Sequence, residues 1–163
     1  MVTTKSLYVM NSYMEAYKIP YVLTGTFGLS VHGILPDNYQ PDDIDVIILV
    51  DKKVDEEKYK SVVETLLRTQ SLDGKTDKSY ENVITFHANG VKVNAFIGGR
   101  IIAENEYIGV FEEHGKYKRI LINDASIMVS DVMDILKAKF HLKRIKDYVF
   151  AKDLASTILN VGF

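Results

Sequence analysis

Asp43 and Asp45 stand two apart at the head of an apolar, β-branched run, Ile44 to Val50, and Gly25-Thr26 ends an earlier run, Tyr21 to Thr24. Side chains at positions i and i+2 of a strand share a face, so the two carboxylates can present oxygens to one hard cation. The ion that suits such a pair is Mg²⁺ (or Mn²⁺). Magnesium keeps several waters and takes one or two protein carboxylates together with phosphate oxygens of a substrate. Gly25 lets the backbone approach a ligand closely, and Thr26 adds a hydroxyl. A short helix expected from Phe27 to His32 directs its first N–H groups toward an anion. Phosphate and metal would meet in one place.

The elements that must hold these residues follow from hydrophobic spacing. Leu7, Met10, Met14 and Tyr17 recur at three and four, the stripe of an amphipathic helix ending near Lys18. Gly33 closes the short helix after His32, and the two prolines and Asp-Asn pair of ILPDNYQP make a loop. The run from Ile44 to Val50 is apolar throughout, as in a central strand buried on both faces. Asp55, Glu56 and Glu57 open a helix whose buried side is Tyr59, Val62, Val63, Leu66 and Leu67. Asn82 to Ala88 and Val91 to Ile97 are strands joined by Asn89-Gly90, a dipeptide suited to a two-residue hairpin. Tyr107 to Phe111 and Tyr117 to Ile122 are expected to pair as a second hairpin across EEHGK. Ser130 is the expected N-cap of a helix running to about Leu142, followed by another from about Lys146 to Leu159.

With 163 residues, 47% hydrophobic and 26% charged, the chain has the make-up of a single globular domain. Residues 1–122 would form its α/β core and 123–163 a C-terminal helical segment. The sequence has no apolar run of membrane-spanning length, and its first residues carry tyrosine, lysine and glutamate where a secretory signal would be apolar. No membrane partner and a cytoplasmic location are expected. Cysteine is absent, which removes disulfides, thiolate metal sites and cysteine nucleophiles. A net charge of −2 gives no general attraction for nucleic acid, so a polyanion must be held by a local site. His87, His114 and His141 are isolated, which argues against zinc. LDGKTD lacks the upstream glycine and leading strand of a phosphate-binding P-loop, and Gly98-Gly99-Arg100 reads as a turn.

The order of a helix, a strand ending in Gly25-Thr26, a short helix ending near His32-Gly33, and a strand carrying Asp43-x-Asp45 resembles the nucleotidyltransferase superfamily. Within it, the chain looks like the minimal nucleotidyltransferases and the AbiEii-type toxins. The resemblance covers about the first hundred residues and implies an α+β fold, a mixed central sheet flanked by helices. By this resemblance Gly25 and Thr26 hold the tail of a nucleoside triphosphate, and Asp43 and Asp45 bind the metals that activate it. His32 falls where relatives often carry a similar pair, although by its type it is a packing or capping residue. A weaker likeness at the C-terminus involves Arg144, Lys146 and Asp147. Most cations from Lys137 to Lys152 suit a solvated helical face, with Lys137 and Lys139 the candidates to reach a triphosphate or an RNA backbone.

The chain departs from the family pattern in three places. Sixteen residues separate Thr26 from Asp43, a somewhat longer gap than usual, and the second residue of the glycine turn is threonine. In VKVNAF, Asn94 stands where relatives carry a third carboxylate. Asparagine can offer a carbonyl oxygen to a metal but cannot act as a general base. It also lacks the charge that helps hold two divalent ions together. Three readings stay open: a slow enzyme, an enzyme whose base comes from elsewhere (Glu81 or His87), and a nucleotide- or partner-binding module of antitoxin or anti-defence type. If the chain is active, it transfers NMP from an NTP to a hydroxyl of a small molecule, a tRNA end or a protein, alone or as a homo-oligomer.

Overall fold

The computed structural model describes residues 2–36, 39–72, 83–97, 100–103, 106–109, 117–122, 124–142 and 145–161. The elements run α1 (Thr4–Ala16), β1 (Tyr21–Thr24), α2 (Gly25–Val31), β2 (Asp43–Ile48), α3 (Glu56–Leu72), β3 (Val83–Ala88), β4 (Val91–Ile97), β5 (Arg100–Ala103), β6 (Glu106–Gly109), β7 (Tyr117–Ile122), β8 (Ala125–Ser130), α4 (Val132–Leu142) and α5 (Ile145–Val161). Six strands form one sheet in the order β3-β4-β2-β1-β8-β7, and β5 pairs with β6 in a separate ribbon. The sheet is mixed. β1 runs antiparallel to β2 and parallel to β8, while β2 runs parallel to β4.

Local chemistry sets the boundaries. Thr3 caps α1 through a reciprocal pair with Ser6, whose backbone N–H donates to Thr3 Oγ1 at 3.2 Å. Asp55 caps α3 by accepting from the Lys58 N–H at 3.0 Å, with Glu56 and Glu57 in the first turn. Asn89 and Gly90 both take positive φ, 51° and 75°, as the tight β3–β4 turn demands.

Alternation along the strands gives the sheet two unlike faces. On one, Ile44, Val46 and Ile48 of β2, Val93 and Ala95 of β4 and Leu23 of β1 join Leu7, Met10 and Met14 of α1 and Leu66 of α3 in the main core. Burial at that density accounts for the stability of the sheet. On the other face Thr24, Asp43, Asp45 and Asn94 form a polar patch beside the buried Val22 and Ile47. A second apolar cluster, Leu29, Ile34, Ile135, Phe150 and Leu154, holds α2, α4 and α5 together. Within the main layer Tyr21 donates to Asn11 Oδ1 at 2.5 Å, and burial pushes its phenol well above the ordinary range, with the charge of Glu15 adding to the effect. Tyr21→Phe would strand Asn11, itself 5% exposed, without that donor. Urea unfolding is expected to show a loss of about 1–3 kcal/mol.

The sequence reading differs from the structure around the last two strands. Tyr117–Ile122 pairs with Ala125–Ser130, across a turn in which Asp124 takes φ 66°, and the strand from Glu106 pairs instead with Arg100–Ala103. β8 is therefore a strand of the main sheet that extends to Ser130, eight residues past the core boundary expected at 122. Ser130 ends β8 and does not cap α4. The carbonyl of Asp131 accepts the first helical bonds, from Asp134 and Ile135 at 3.1 Å each. α2 begins at Gly25, two residues earlier than expected. The Gly-Lys-Thr stretch and Gly98-Gly99 lie outside the described residues.

Candidate active site

A row of polar residues crosses the sheet. Thr24 on β1 is the register partner of Asp45 on β2, Asp45 that of Asn94 on β4, and Asn94 that of Thr85 on β3. Register partners share a face, so the four side chains stand abreast, with Asp43 two residues along. Asn94 Nδ2 donates to Asp45 Oδ1 at 2.9 Å and to Asp43 Oδ2 at 3.1 Å, and Thr85 Oγ1 donates to Asn94 Oδ1 at 3.0 Å. The two carboxylates thus converge on one point.

Gly25 opens α2 beside this pair. Its φ is +70°, a conformation that side chains disfavour, and a Cβ there would sit 2.9 Å from Asp45 Cβ and overlap the Asp45 carboxylate. The glycine is thus fixed by backbone conformation and by the close approach of Asp45.

The helices of the second cluster close the other side. Lys139 on α4 donates from Nζ to Thr26 Oγ1 at 2.8 Å and lies 4.7 Å over the Phe150 ring of α5. Phe150 meets Tyr39 edge-on with centroids 4.8 Å apart. The Tyr39 phenol is pushed up, first by removal from water and then by the Asp153 carboxylate with which it shares a hydrogen bond. The result is a cleft of about 520 Å³. Its floor is Thr24, Asp43, Asp45 and Asn94, its near wall Gly25 and Thr26, and its far wall Lys139, Lys146, Asp147 and Phe150.

Asp43, Asp45, Asn94, Gly25, Thr26 and Lys139 thus come together. Lys137 is exposed and does not line the cleft. His32 is the C-terminal cap of α2, and its Nε2 donates to the Ser130 carbonyl at 2.7 Å, tying α2 to the end of β8 outside the cleft lining. Of the C-terminal likeness, Lys146 and Asp147 line the cleft and Arg144 lies outside the described residues. Of the alternative bases, His87 on β3 does not line it, and Glu81 lies outside the described residues. Sequence reasoning missed Tyr39 and Phe150. Tyr39 sits in a proline-rich loop that offers no periodicity, and Phe150 falls on the apolar stripe of α5, where an aromatic reads as core.

The residues present fit a magnesium ion. Every candidate ligand is an oxygen, the set magnesium prefers. The hydroxyl of Thr24, 3% exposed, has no hydrogen-bond partner among the described residues and lines the same cleft. Among the described residues no group of three or more His, Cys, Asp or Glu side chains is placed to hold an ion.

The described elements form the fold of the nucleotidyltransferases. TM1012 of Thermotoga maritima, a candidate nucleotidyltransferase, superposes with a TM-score of 0.55 at 16% identity over 96% of each chain. ANT(2'')-Ia, solved in complex with adenylyl-2''-tobramycin, gives 0.57 at 10% identity over 98% of this chain and 91% of that one. The lincosamide antibiotic adenylyltransferase LnuA, solved with lincomycin, gives 0.54 at 17% identity over 96% of this chain and 98% of that one. No protein-family model matches the sequence, and no curated protein matches it. Among the described residues no helix is long and apolar enough to cross a membrane.

Proposed function

We propose that the chain transfers NMP from a nucleoside triphosphate to the hydroxyl of a small molecule, with Mg²⁺ (or Mn²⁺) on Asp43 and Asp45. The observation that carries this reading is the convergence of Asp43, Asp45, Gly25 and Thr26 with Lys139 around one cleft. When bound, the metal offsets the charge of the triphosphate and aligns it for in-line displacement of pyrophosphate. Gly25 admits the phosphates close to the backbone, Thr26 offers its hydroxyl, and Lys139 supplies positive charge on the side opposite the carboxylates. The Tyr39–Phe150 pair provides an aromatic wall for a base or an acceptor. With asparagine at 94, the acceptor proton needs another carboxylate. Asp147, 3% exposed and lining the cleft, is the residue we assign to it. A small-molecule acceptor is favoured by fold neighbours that carry antibiotics, with an RNA end or a protein side chain as the alternatives.

Calorimetric titration with ATP, GTP, CTP and UTP, with and without Mg²⁺ or Mn²⁺, tests the reading. Metal-dependent binding of one nucleotide is expected, and its absence for all four would overturn the assignment. Lys139→Met is expected to raise the nucleotide Kd roughly tenfold or more, as removal of a hydrogen bond to a charged group costs about 1.5–3 kcal/mol. Lys137→Met is expected to leave it unchanged.

Asn94 favours a second reading, a module of the same fold that binds nucleotide or a protein partner without chemistry, as in toxin–antitoxin or anti-defence systems. Nucleotide binding with no pyrophosphate release, whatever acceptor is offered, would select it.

A further inference from the structure

Asn94 has both polar atoms of its side chain committed. An amide NH₂ carries two hydrogens, and Nδ2 stands 3.1 Å from Asp43 Oδ2 and 2.9 Å from Asp45 Oδ1, one hydrogen to each carboxylate. The amide thus offers both carboxylates the positive ends of its two N–H bonds, a neutral substitute for a cation. Beside it the Thr24 hydroxyl, 3% exposed and lining the same cleft, has no acceptor among the described residues.

We propose that Asn94 is an amide latch that limits this site to one divalent cation. Without a cation, its NH₂ holds the carboxylates together. When a cation binds, the amide turns over about its terminal bond, so that Oδ1 faces the ion and Nδ2 faces Thr85. Thr85 Oγ1 makes both states possible, because a hydroxyl has one hydrogen to donate and two lone pairs to accept with. It donates to Oδ1 at 3.0 Å in the latched state and accepts from Nδ2 in the turned one. An aspartate at 94 would be repelled by the pair until a cation arrived, and would then add the charge that a second ion needs. The latch therefore separates this site from a two-ion centre by stoichiometry and by its cation-free state. The inference rests on the metal assignment of the proposed function, but its test does not depend on transfer.

The test counts Mn²⁺ bound to the full chain by electron paramagnetic resonance, with the metal alone and no nucleotide. In parallel, the Asn94 side-chain NH₂ signals are followed in protein labelled with ¹⁵N-asparagine, assigned by their loss in Asn94→Ala, during titration with Mg²⁺. The expected result is one Mn²⁺ per wild-type chain, two in Asn94→Asp, and displacement of the Asn94 signals at saturating Mg²⁺. Two ions in the wild type, or Asn94 signals that stay in place at saturation, would overturn the latch while leaving nucleotidyl transfer intact. No ion in the wild type overturns it as well, and the nucleotide titration then decides whether the proposed function falls with it. Because Asn94→Asp crowds three carboxylates and can fail to fold, the wild-type count and its amide signals decide the matter alone.

Discussion

Gly25→Ala is expected to abolish nucleotide binding and to destabilise the chain by about 2–5 kcal/mol, the sum of a left-handed backbone penalty and the overpacking of a methyl group. The first part follows from φ +70°, and the second from a Cβ placed 2.9 Å from Asp45 Cβ. Relief requires Asp45 to swing away, which breaks its 2.9 Å bond to Asn94 Nδ2 and separates it from Asp43. Binding and stability should therefore fall together. Urea unfolding and nucleotide titration on one preparation check this. A variant that unfolds like the wild type and still binds would show that the approach of Gly25 to Asp45 does not govern the site.

Asp45→Ala is expected to lower metal-dependent transfer by about 10³-fold or more, since a bound cation stabilises developing charge by several kcal/mol. Folding should survive, because Asn94 keeps Asp43 and Thr85 as partners and one of two mutually repelling charges is gone. The informative readouts are pyrophosphate release at saturating Mg²⁺ and the far-ultraviolet circular dichroism spectrum. Retained transfer would remove the metal from Asp45, and a lost spectrum would make Asp45 structural. Asp43→Ala is expected to behave alike, with Asp45 then keeping the Asn94 hydrogen bond.

Much of the site was legible from order and residue type. Asp43-x-Asp45 needs only the period of a strand to put both carboxylates on one face, and Gly25 stands where an apolar run stops. The hairpin at Asn89-Gly90 announces itself through residues that accept positive φ. Position 94 was legible as a departure, but not its contacts, since the bonds to Asp43 and Asp45 span 51 and 49 residues. The 113-residue reach of Lys139 to Thr26 was likewise out of sight, because it depends on α4 docking onto α2. β8 was missed for a local reason. Its run ASIMVS mixes small and apolar residues, and the serine at its end looks like a helix cap. Asp124, at φ 66° ahead of β8, could have marked a hairpin, as aspartate tolerates the left-handed region.

The row Thr24, Asp45, Asn94, Thr85 also has a bearing on how the chain finds its fold. β1 and β2 bury apolar residues on both faces, Val22 and Ile47 opposite Leu23 and Val46, so hydrophobic burial alone separates one register from the next less sharply than a clean alternation would. A slip of one residue between β2 and β4 would turn Asp45 or Asn94 into the main core, where a carboxylate or amide without partners is penalised heavily. The polar residues thus enforce alignment at the centre of the sheet, and a chain with the row replaced by valine would be free to pair its strands in more than one way.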